Sequence, residues 1–222
     1  ENTVLACAKH FAGYGAAEAG RDYNTADMSE VVLRNTYLPP FHAAVESGVR
    51  TFMSGFHELN GVPSSANQYL LKDILRKEWN FGGFVVSDWA SVREVAVHGY
   101  ATDLKDAALK SFTAGVDMDM ESVAYLTHMS ALVKEGRISE EMVNNSVRKI
   151  LRMKYELGIM DDPYRYCDEE REKKVILNDE YIELARESAG KSMVLLKNER
   201  SILPLRSEER RVGEECRSRW SP

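Results

Sequence analysis

Apolar residues along the chain alternate between short continuous runs and runs with helical spacing. Continuous apolar runs bounded by glycine or polar residues are typical of strands buried on both faces, and apolar residues three and four positions apart indicate amphipathic helices. A further helix is predicted to begin after Ser139, which two glutamates follow, and to end at Gly158. The predicted strands cover residues 4–10, 49–56, 83–87 and 115–120, and the other predicted helices cover 29–37, 69–77, 104–113 and 123–134.

This alternation predicts parallel βα units and therefore an α/β fold. Four such units are half of an eightfold (β/α)8 barrel of the TIM type, while an open doubly wound sheet gives the same alternation. No Gly-x-Gly-x-x-Gly or Gly-Lys-Ser/Thr phosphate loop follows a predicted strand, which argues against the nucleotide-binding forms of the open sheet. The half-barrel is therefore the preferred interpretation.

Composition limits the classes of partner. The chain has 222 residues, of which 44% are apolar and 29% charged, as expected for a globular protein with a sizeable core. The net charge of −6 makes nucleic acid and anionic membranes unexpected partners, and no apolar stretch approaches the ~20 residues of a membrane span. Three scattered cysteines predict neither a disulfide framework nor a metal cluster. We expect a small-molecule partner, no cofactor and no metal, and the sequence carries no signal for an oligomeric state.

Chemically versatile side chains occur at the ends of three predicted strands. Because the carboxyl ends of parallel strands in a barrel face one mouth, these side chains are expected to meet there. A cation, an imidazole, a carboxylate and an indole at one mouth suit a carbohydrate, since they supply hydrogen bonds, an apolar platform and a group that meets the anomeric carbon. Each residue alone also fits a structural role, such as a helix cap or core packing. The residues are Lys9 and His10, Phe56 and His57, and Asp88 and Trp89.

Four ordered motifs resemble glycoside hydrolase family 3, and within it the bacterial periplasmic β-glucosidases. They are KHFAGYG at 9–15, LNGVP at 59–63, GFVVSDW at 83–89 and VLLKN at 194–198. The resemblance runs from about residue 3 to residue 205. It implies a retaining hydrolase that removes β-linked glucose from the non-reducing end of oligosaccharides or of aryl and alkyl glucosides, in the periplasm or outside the cell.

The resemblance also implies roles for single residues. Asp88 matches the nucleophile, and Lys9 and His10 match a pair that hydrogen-bonds the sugar being cleaved. Trp89 would line the entrance, where the leaving group sits. Phe56 stands where many relatives carry a tyrosine whose hydroxyl reaches the nucleophile. The acid/base residue of the family is a glutamate on a second, α/β sandwich domain.

The resemblance further predicts how the chain is divided. Residues 1–158 would be the second, C-terminal half of the barrel, 159–205 a connector towards the missing sandwich domain, and 206–222 a non-native tail. Because half of the pocket and the acid/base glutamate would then be absent, this fragment alone is expected to be inactive.

Two alternative functions stay open: a β-xylosidase of the same family, and a non-catalytic carbohydrate-binding relative. A β-N-acetylglucosaminidase is disfavoured. The resemblance implies that this branch of the family carries an Asp-His pair in the loop after the Lys-His-Phe motif, and residues 16–25 contain no histidine. We expect His57 to lie on the rim of the pocket. Asp117 and Asp119 are expected to make capping and loop hydrogen bonds, and 168–174 to be a solvated segment.

Overall fold

The computed structural model describes residues 4–204, which fall into two compact units. The first unit ends at Tyr166 and the second begins at Cys167. The predicted division at residues 158 and 205 stays a prediction, and the predicted tail at 206–222 lies outside the described residues. No helix within residues 4–204 combines the length and the apolar character needed to cross a membrane.

A three-stranded parallel sheet organises the first unit. Its strands lie in the order β1-β2-β5, with Cys7 opposite Thr51 and Thr51 opposite Phe84. A short antiparallel hairpin, β3-β4, forms a second sheet. The strands are β1 (Cys7–Phe11), β2 (Thr51–Ser54), β3 (Glu58–Leu59), β4 (Val62–Pro63) and β5 (Phe84–Val86).

Helices separate the parallel strands, as the predicted βα rhythm requires. Two segments are π-helical, Leu33–Tyr37 directly after α1 and Tyr69–Glu78 between β4 and β5. All five predicted helices, two of them wholly or partly π-helical, and three predicted strands are confirmed within a few residues at each end. The first unit contains α1 (Glu30–Val32), α2 (Pro39–Glu46), α3 (Ser91–Val97), α4 (Leu104–Ala114), α5 (Ala124–Lys134) and α6 (Glu140–Glu156).

One hydrophobic core joins the sheet to the helices. The ring of Phe11 at the end of β1 packs edge-on against Phe41, Phe52 and Trp79, with ring centroids 5.2, 5.3 and 5.8 Å apart. The π-helix Tyr69–Glu78 contributes four fully buried side chains on one face. Burial of each such side chain stabilises the fold by about 1.5–3 kcal/mol, so the strand ends are held by a rigid base.

The predicted fourth strand is wrong, since residues 115–120 form only an isolated parallel bridge between Val86 and Met118. The amides of Asp117 and Met118 both donate to the carbonyl of Val85. The Asp117 side chain in turn takes the amide of Val85 as a donor. The Val85 amide would otherwise be free to pair with the backbone of residues 115–120. Because it is bonded to the Asp117 carboxylate instead, regular strand pairing does not extend beyond one bridge.

The described part of the second unit, residues 167–204, contains two α-helices and a short 3-10 helix at Glu199–Ser201. The two α-helices are α7 (Glu169–Val175) and α8 (Asp179–Ser192), capped by the side chains of Asp168 and Asn178. The segment 168–174 is solvated, as predicted, but most of it is helical. Between residues 167 and 204 no residue is buried, so this unit has no core of its own within the described chain.

Candidate active site

Asp88 lies two residues beyond the end of β5, where the sheet opens. Its backbone is fixed on both sides, because its carbonyl accepts hydrogen bonds from the Ser91 amide at 3.1 Å and the Ser87 hydroxyl at 3.0 Å. The residue is 8% exposed. Its Oδ1 accepts the backbone N–H of Trp89 at 2.7 Å, which sets the plane of the carboxylate. Asp88 is therefore held in one orientation.

The second carboxylate oxygen of Asp88 faces His10. Nε2 of His10 lies 2.8 Å from Oδ2 of Asp88, which brings the first and third strand ends together. No donor among the described residues makes a well-aligned hydrogen bond to Oδ2. Burial lowers the pKa of His10, the charge of Lys9 acts in the same direction, and Asp88 opposes both. A neutral imidazole 2.8 Å from a buried carboxylate oxygen is the chemical core of this site.

The remaining predicted residues surround this pair at different depths. Lys9 is exposed and lines a surface groove with His10, Gly13 and Tyr14. Trp89 is 61% exposed, although its amide is bonded to the buried carboxylate. Phe56 is half-buried, and its carbonyl accepts a hydrogen bond from His98 Nε2 at 2.9 Å. Lys9 and Trp89 are thus sequence neighbours of the His10–Asp88 pair, and Phe56 follows the strand β2 that lies between β1 and β5.

His57 is fully buried, so its predicted position on the rim is wrong. Its Nε2 lies 3.0 Å from the carbonyl of Ala12 and 3.3 Å from the hydroxyl of Ser64. Gly55 explains the difference, because a Cβ there would stand 2.6 Å from His57 Nδ1. Because Gly55 has no side chain, the His57 imidazole can pack directly against its backbone. Burial lowers the pKa of His57 to about 4, with the bond to Ala12 opposing it.

The buried His57 predicts a loss of stability in acid. Because its pKa is near 6.5 when unfolded and about 4 when folded, the unfolded state binds more protons between these values. Stability should fall as pH drops from 6.5 to 4, by about 3 kcal/mol in total. Thermal unfolding of the complete protein across this range tests it. His57→Asn should flatten the slope, and His128→Asn on α5 is the matched control. An unchanged slope in His57→Asn would contradict the assignment.

The aromatic loop after β1 was not predicted as part of the site. Tyr14 stacks on His57 with ring centroids 4.6 Å apart and meets the edge of His10 at 5.4 Å. Its hydroxyl donates to Asp22. Tyr14 thus joins the buried histidine to the one that faces Asp88. The only available signal was the concentration of tyrosines directly after a strand that ends in a histidine.

Asp119 and Asp117 form the hydrogen bonds expected of them. Asp119 accepts the amides of Ala124 and Tyr125 at the start of α5. Asp117 accepts side-chain and backbone donors in the interior. Within residues 4–204, no group of three or more His, Cys, Asp or Glu side chains is arranged to hold a metal ion.

Comparison with known proteins identifies the family. The protein-family model described as the glycosyl hydrolase family 3 N terminal domain matches residues 1–153. The chain belongs to glycosyl hydrolase family 3. The resemblance deduced from the four motifs is thereby confirmed.

Family 3 relatives include enzymes named for two sugars. The chain is 40% identical to a periplasmic beta-glucosidase of Salmonella typhimurium over 92% of its own length and 27% of the relative's. It is 41% identical to a beta-xylosidase of Formosa agariphila, over 92% of this chain and 29% of that protein. The chain therefore spans little more than a quarter of the length of these curated relatives.

A solved family 3 structure has the same fold. The beta-glucosidase from Listeria innocua in complex with glucose matches with a TM-score of 0.79 at 43% identity, covering 90% of this chain and 27% of that one. The chain thus has a mixed α/β fold similar to that β-glucosidase. The predicted α/β class is confirmed, and the description as a half-barrel with a connector stays a prediction.

Proposed function

We propose that the protein containing this chain is a retaining β-glucosidase in which Asp88 is the nucleophile. The observation that carries the proposal is the carboxylate of Asp88, fixed through Oδ1 and turned towards His10 through Oδ2 at the open end of the sheet. The names of relatives at about 40% identity support the substrate class. The expected substrates carry β-linked glucose at a non-reducing end, in oligosaccharides or in aryl and alkyl glucosides.

The proposed reaction has two displacements. In the first, Oδ2 of Asp88 attacks the anomeric carbon, the bond to the leaving group breaks, and the departing oxygen takes a proton from an acid. In the second, that group removes a proton from water, the water attacks the same carbon, and the ester to Asp88 breaks. Two inversions return the β configuration. Retaining enzymes place the two carboxyl groups ≈ 5–5.5 Å apart, so the acid must enter from chain that packs over Asp88.

Lys9 and His10 are proposed to bind the hydroxyls of the cleaved glucose. Because burial lowers the pKa of His10, the ring is neutral: its Nε2 faces Asp88 as the N–H donor, and its Nδ1 is left to accept a hydrogen bond from a sugar hydroxyl. Lys9 contributes an ammonium group with N–H donors for the sugar hydroxyls. Trp89 and Phe56 are proposed to provide apolar walls.

The rest of the pocket is proposed to come from outside this chain. The relatives are more than three times as long, which leaves room for the first half of a barrel and for a domain carrying the acid/base group. Proton donation contributes typically 10²–10⁴-fold to such reactions. The chain alone is therefore expected to show no glycosidase turnover, and activity of the isolated polypeptide that Asp88→Ala abolishes would contradict this.

Covalent labelling tests the assignment of Asp88. The complete reading frame is expressed and treated with a 2-deoxy-2-fluoro β-glucosyl inactivator, which forms a slowly hydrolysed ester with the nucleophile. Peptide mass spectrometry should find the label on Asp88. A label on another carboxylate would overturn the assignment. Folded protein that takes no label would favour another sugar or a non-catalytic carbohydrate-binding role.

A β-xylosidase is the second candidate, because the Formosa agariphila relative is as similar to the chain as the β-glucosidases are. Xylose lacks only the hydroxymethyl group of glucose. The two are separated by comparing kcat/KM for aryl β-glucoside and aryl β-xyloside with the same leaving group. We expect the glucoside to be preferred, and a higher kcat/KM for the xyloside would reverse the order of the candidates.

The proposed location is the periplasm or the outside of the cell, as the name of the Salmonella typhimurium relative indicates for that protein. Fractionation of cells that express the complete protein tests it.

A further inference from the structure

Tyr23 is an exposed aromatic residue in the loop after β1 with an unusual backbone. Its φ is +63°, a left-handed conformation that is costly for a bulky residue. The loop holds it there, because its amide donates to Asp22 Oδ1 at 3.1 Å and to the Tyr14 hydroxyl oxygen at 3.4 Å. Strained residues that surrounding structure maintains are concentrated at binding and active sites. The local structure therefore fixes the direction of the Tyr23 ring.

The ring of Tyr23 is directed to the candidate active site. It packs on Phe56 with ring centroids 4.5 Å apart, and it is 46% exposed. Burial raises the pKa of the phenol, and Glu94, Asp22 and Asp88 raise it further, in that order. The phenol is therefore neutral, and its loop reaches the site through Tyr14, whose hydroxyl oxygen accepts the Tyr23 amide and whose ring contacts His10. One face of a neutral ring rests on Phe56, which leaves the other side available for contact.

Two aromatic side chains near the buried Asp88 expose ring surface to solvent. Asp88 is 8% exposed, Tyr23 46% and Trp89 61%. A sugar whose anomeric carbon meets Asp88 must occupy the deep position beside His10. The group attached to that carbon then leaves towards solvent, past the two exposed rings. Flat apolar faces of sugars and aryl groups pack well on aromatic side chains.

We propose that Tyr23 is a specificity-determining residue that binds the leaving group of the substrate. The proposal rests on the proposed hydrolase function and adds a contact for the part of the substrate that departs. The preferred leaving group is a ring with a flat apolar face, either an aryl group or a second sugar. Phe56 supports the ring of Tyr23 from behind, and Asp22 with Tyr14 holds its backbone.

Two substrates that share the glucosyl group but differ in the leaving group test the proposal on the complete protein. An aryl β-glucoside has a leaving group that can contact Tyr23, whereas β-glucosyl fluoride has a leaving group of one atom. For Tyr23→Leu, we expect kcat/KM to fall about tenfold on the aryl glucoside, mainly through KM, and by no more than about twofold on the fluoride. Tyr23→Phe, which restores the ring, should recover most of that loss.

The control is Tyr155→Leu, at an exposed tyrosine near the end of α6 that is 73% exposed. An equal loss on both substrates would overturn the proposal, since Tyr23 would then act on glucose or on Asp88. Unchanged kcat/KM on both would also overturn it. If Tyr23→Leu fails to fold, Tyr23→Phe and Tyr23→Trp are compared by the same substrate ratio, which must follow the ring. Wild-type protein that hydrolyses neither substrate would instead refute the proposed function.

Discussion

Replacement of Asp88 by glycine in the complete protein is expected to lower kcat for aryl β-glucosides by on the order of 10⁴-fold. The reason is that the substitution removes the carboxylate that would form the bond to the anomeric carbon. That carboxylate is held in place after β5 by hydrogen bonds to its Oδ1 and its backbone carbonyl. The loss should appear in kcat and kcat/KM together, because the carbon-oxygen bond to Asp88 forms only as the reaction proceeds. Steady-state kinetics measure both.

Azide distinguishes a lost nucleophile from a damaged pocket. In Asp88→Gly, azide can enter the vacated space, attack the anomeric carbon and displace an activated aryl leaving group in one step. The product should be the α-glucosyl azide, since a single displacement inverts the centre. The control is Asp73→Asn, whose exposed partner is Lys77. A β-azide, or full activity in Asp88→Gly, would contradict the nucleophile assignment.

Replacement of Asp117 by asparagine should destabilise the fold by about 3–5 kcal/mol. The carboxylate is buried between two cations, with Oδ2 2.6 Å from Arg76 and Oδ1 2.6 Å from Lys149. It also accepts the Ser146 hydroxyl at 2.8 Å and the Val85 amide at 2.9 Å. Burial lowers the pKa of Arg76 and Asp117 opposes that effect, so asparagine leaves a buried guanidinium without its counter-charge.

The effect is measured by thermal unfolding of the complete protein together with hydrogen exchange of peptides that contain Val85. Both should show strong destabilisation in Asp117→Asn. The same change at Asp73, in an exposed pair with Lys77, should cost less than about 1 kcal/mol. Equal losses of stability in Asp117→Asn and Asp73→Asn would contradict the prediction, because the contacts of Asp117 would then contribute no more than an exposed ion pair.

The spacing of apolar residues and the capping residues predicted most helices and strands. The serine at position 139 does cap α6, accepting the amide of Met142. By contrast, α2 was missed because it begins with two prolines, which usually interrupt helices. Here they lie in its first turn, where no amide donor is needed. The short α3 gave too few residues for a helical period to be recognised.

The contact between His10 and Asp88 was predictable from the strand ends, whereas the positions of the loop residues around it were not. His10, within β1, and Asp88, two residues after β5, come together at the same end of one parallel sheet, in which β2 lies between their strands. Tyr14 and Tyr23 could not be located from the sequence, since their positions depend on backbone conformations that pattern does not encode. His57 was misplaced because a glycine two residues earlier allowed the chain to turn its ring inwards.

The Asp117 network also sets an order of assembly during synthesis. The residues that hold this carboxylate extend from Arg76 to Lys149, on either side of the strand that leads to Asp88. At 5–20 residues per second, the ribosome makes Lys149 roughly two to six seconds after Asp117. Until then, the buried carboxylate of Asp117, which accepts the Val85 amide of β5, lacks one of its two cationic partners. We therefore expect Asp88, the proposed nucleophile, to reach its final position only after α6 has left the ribosome.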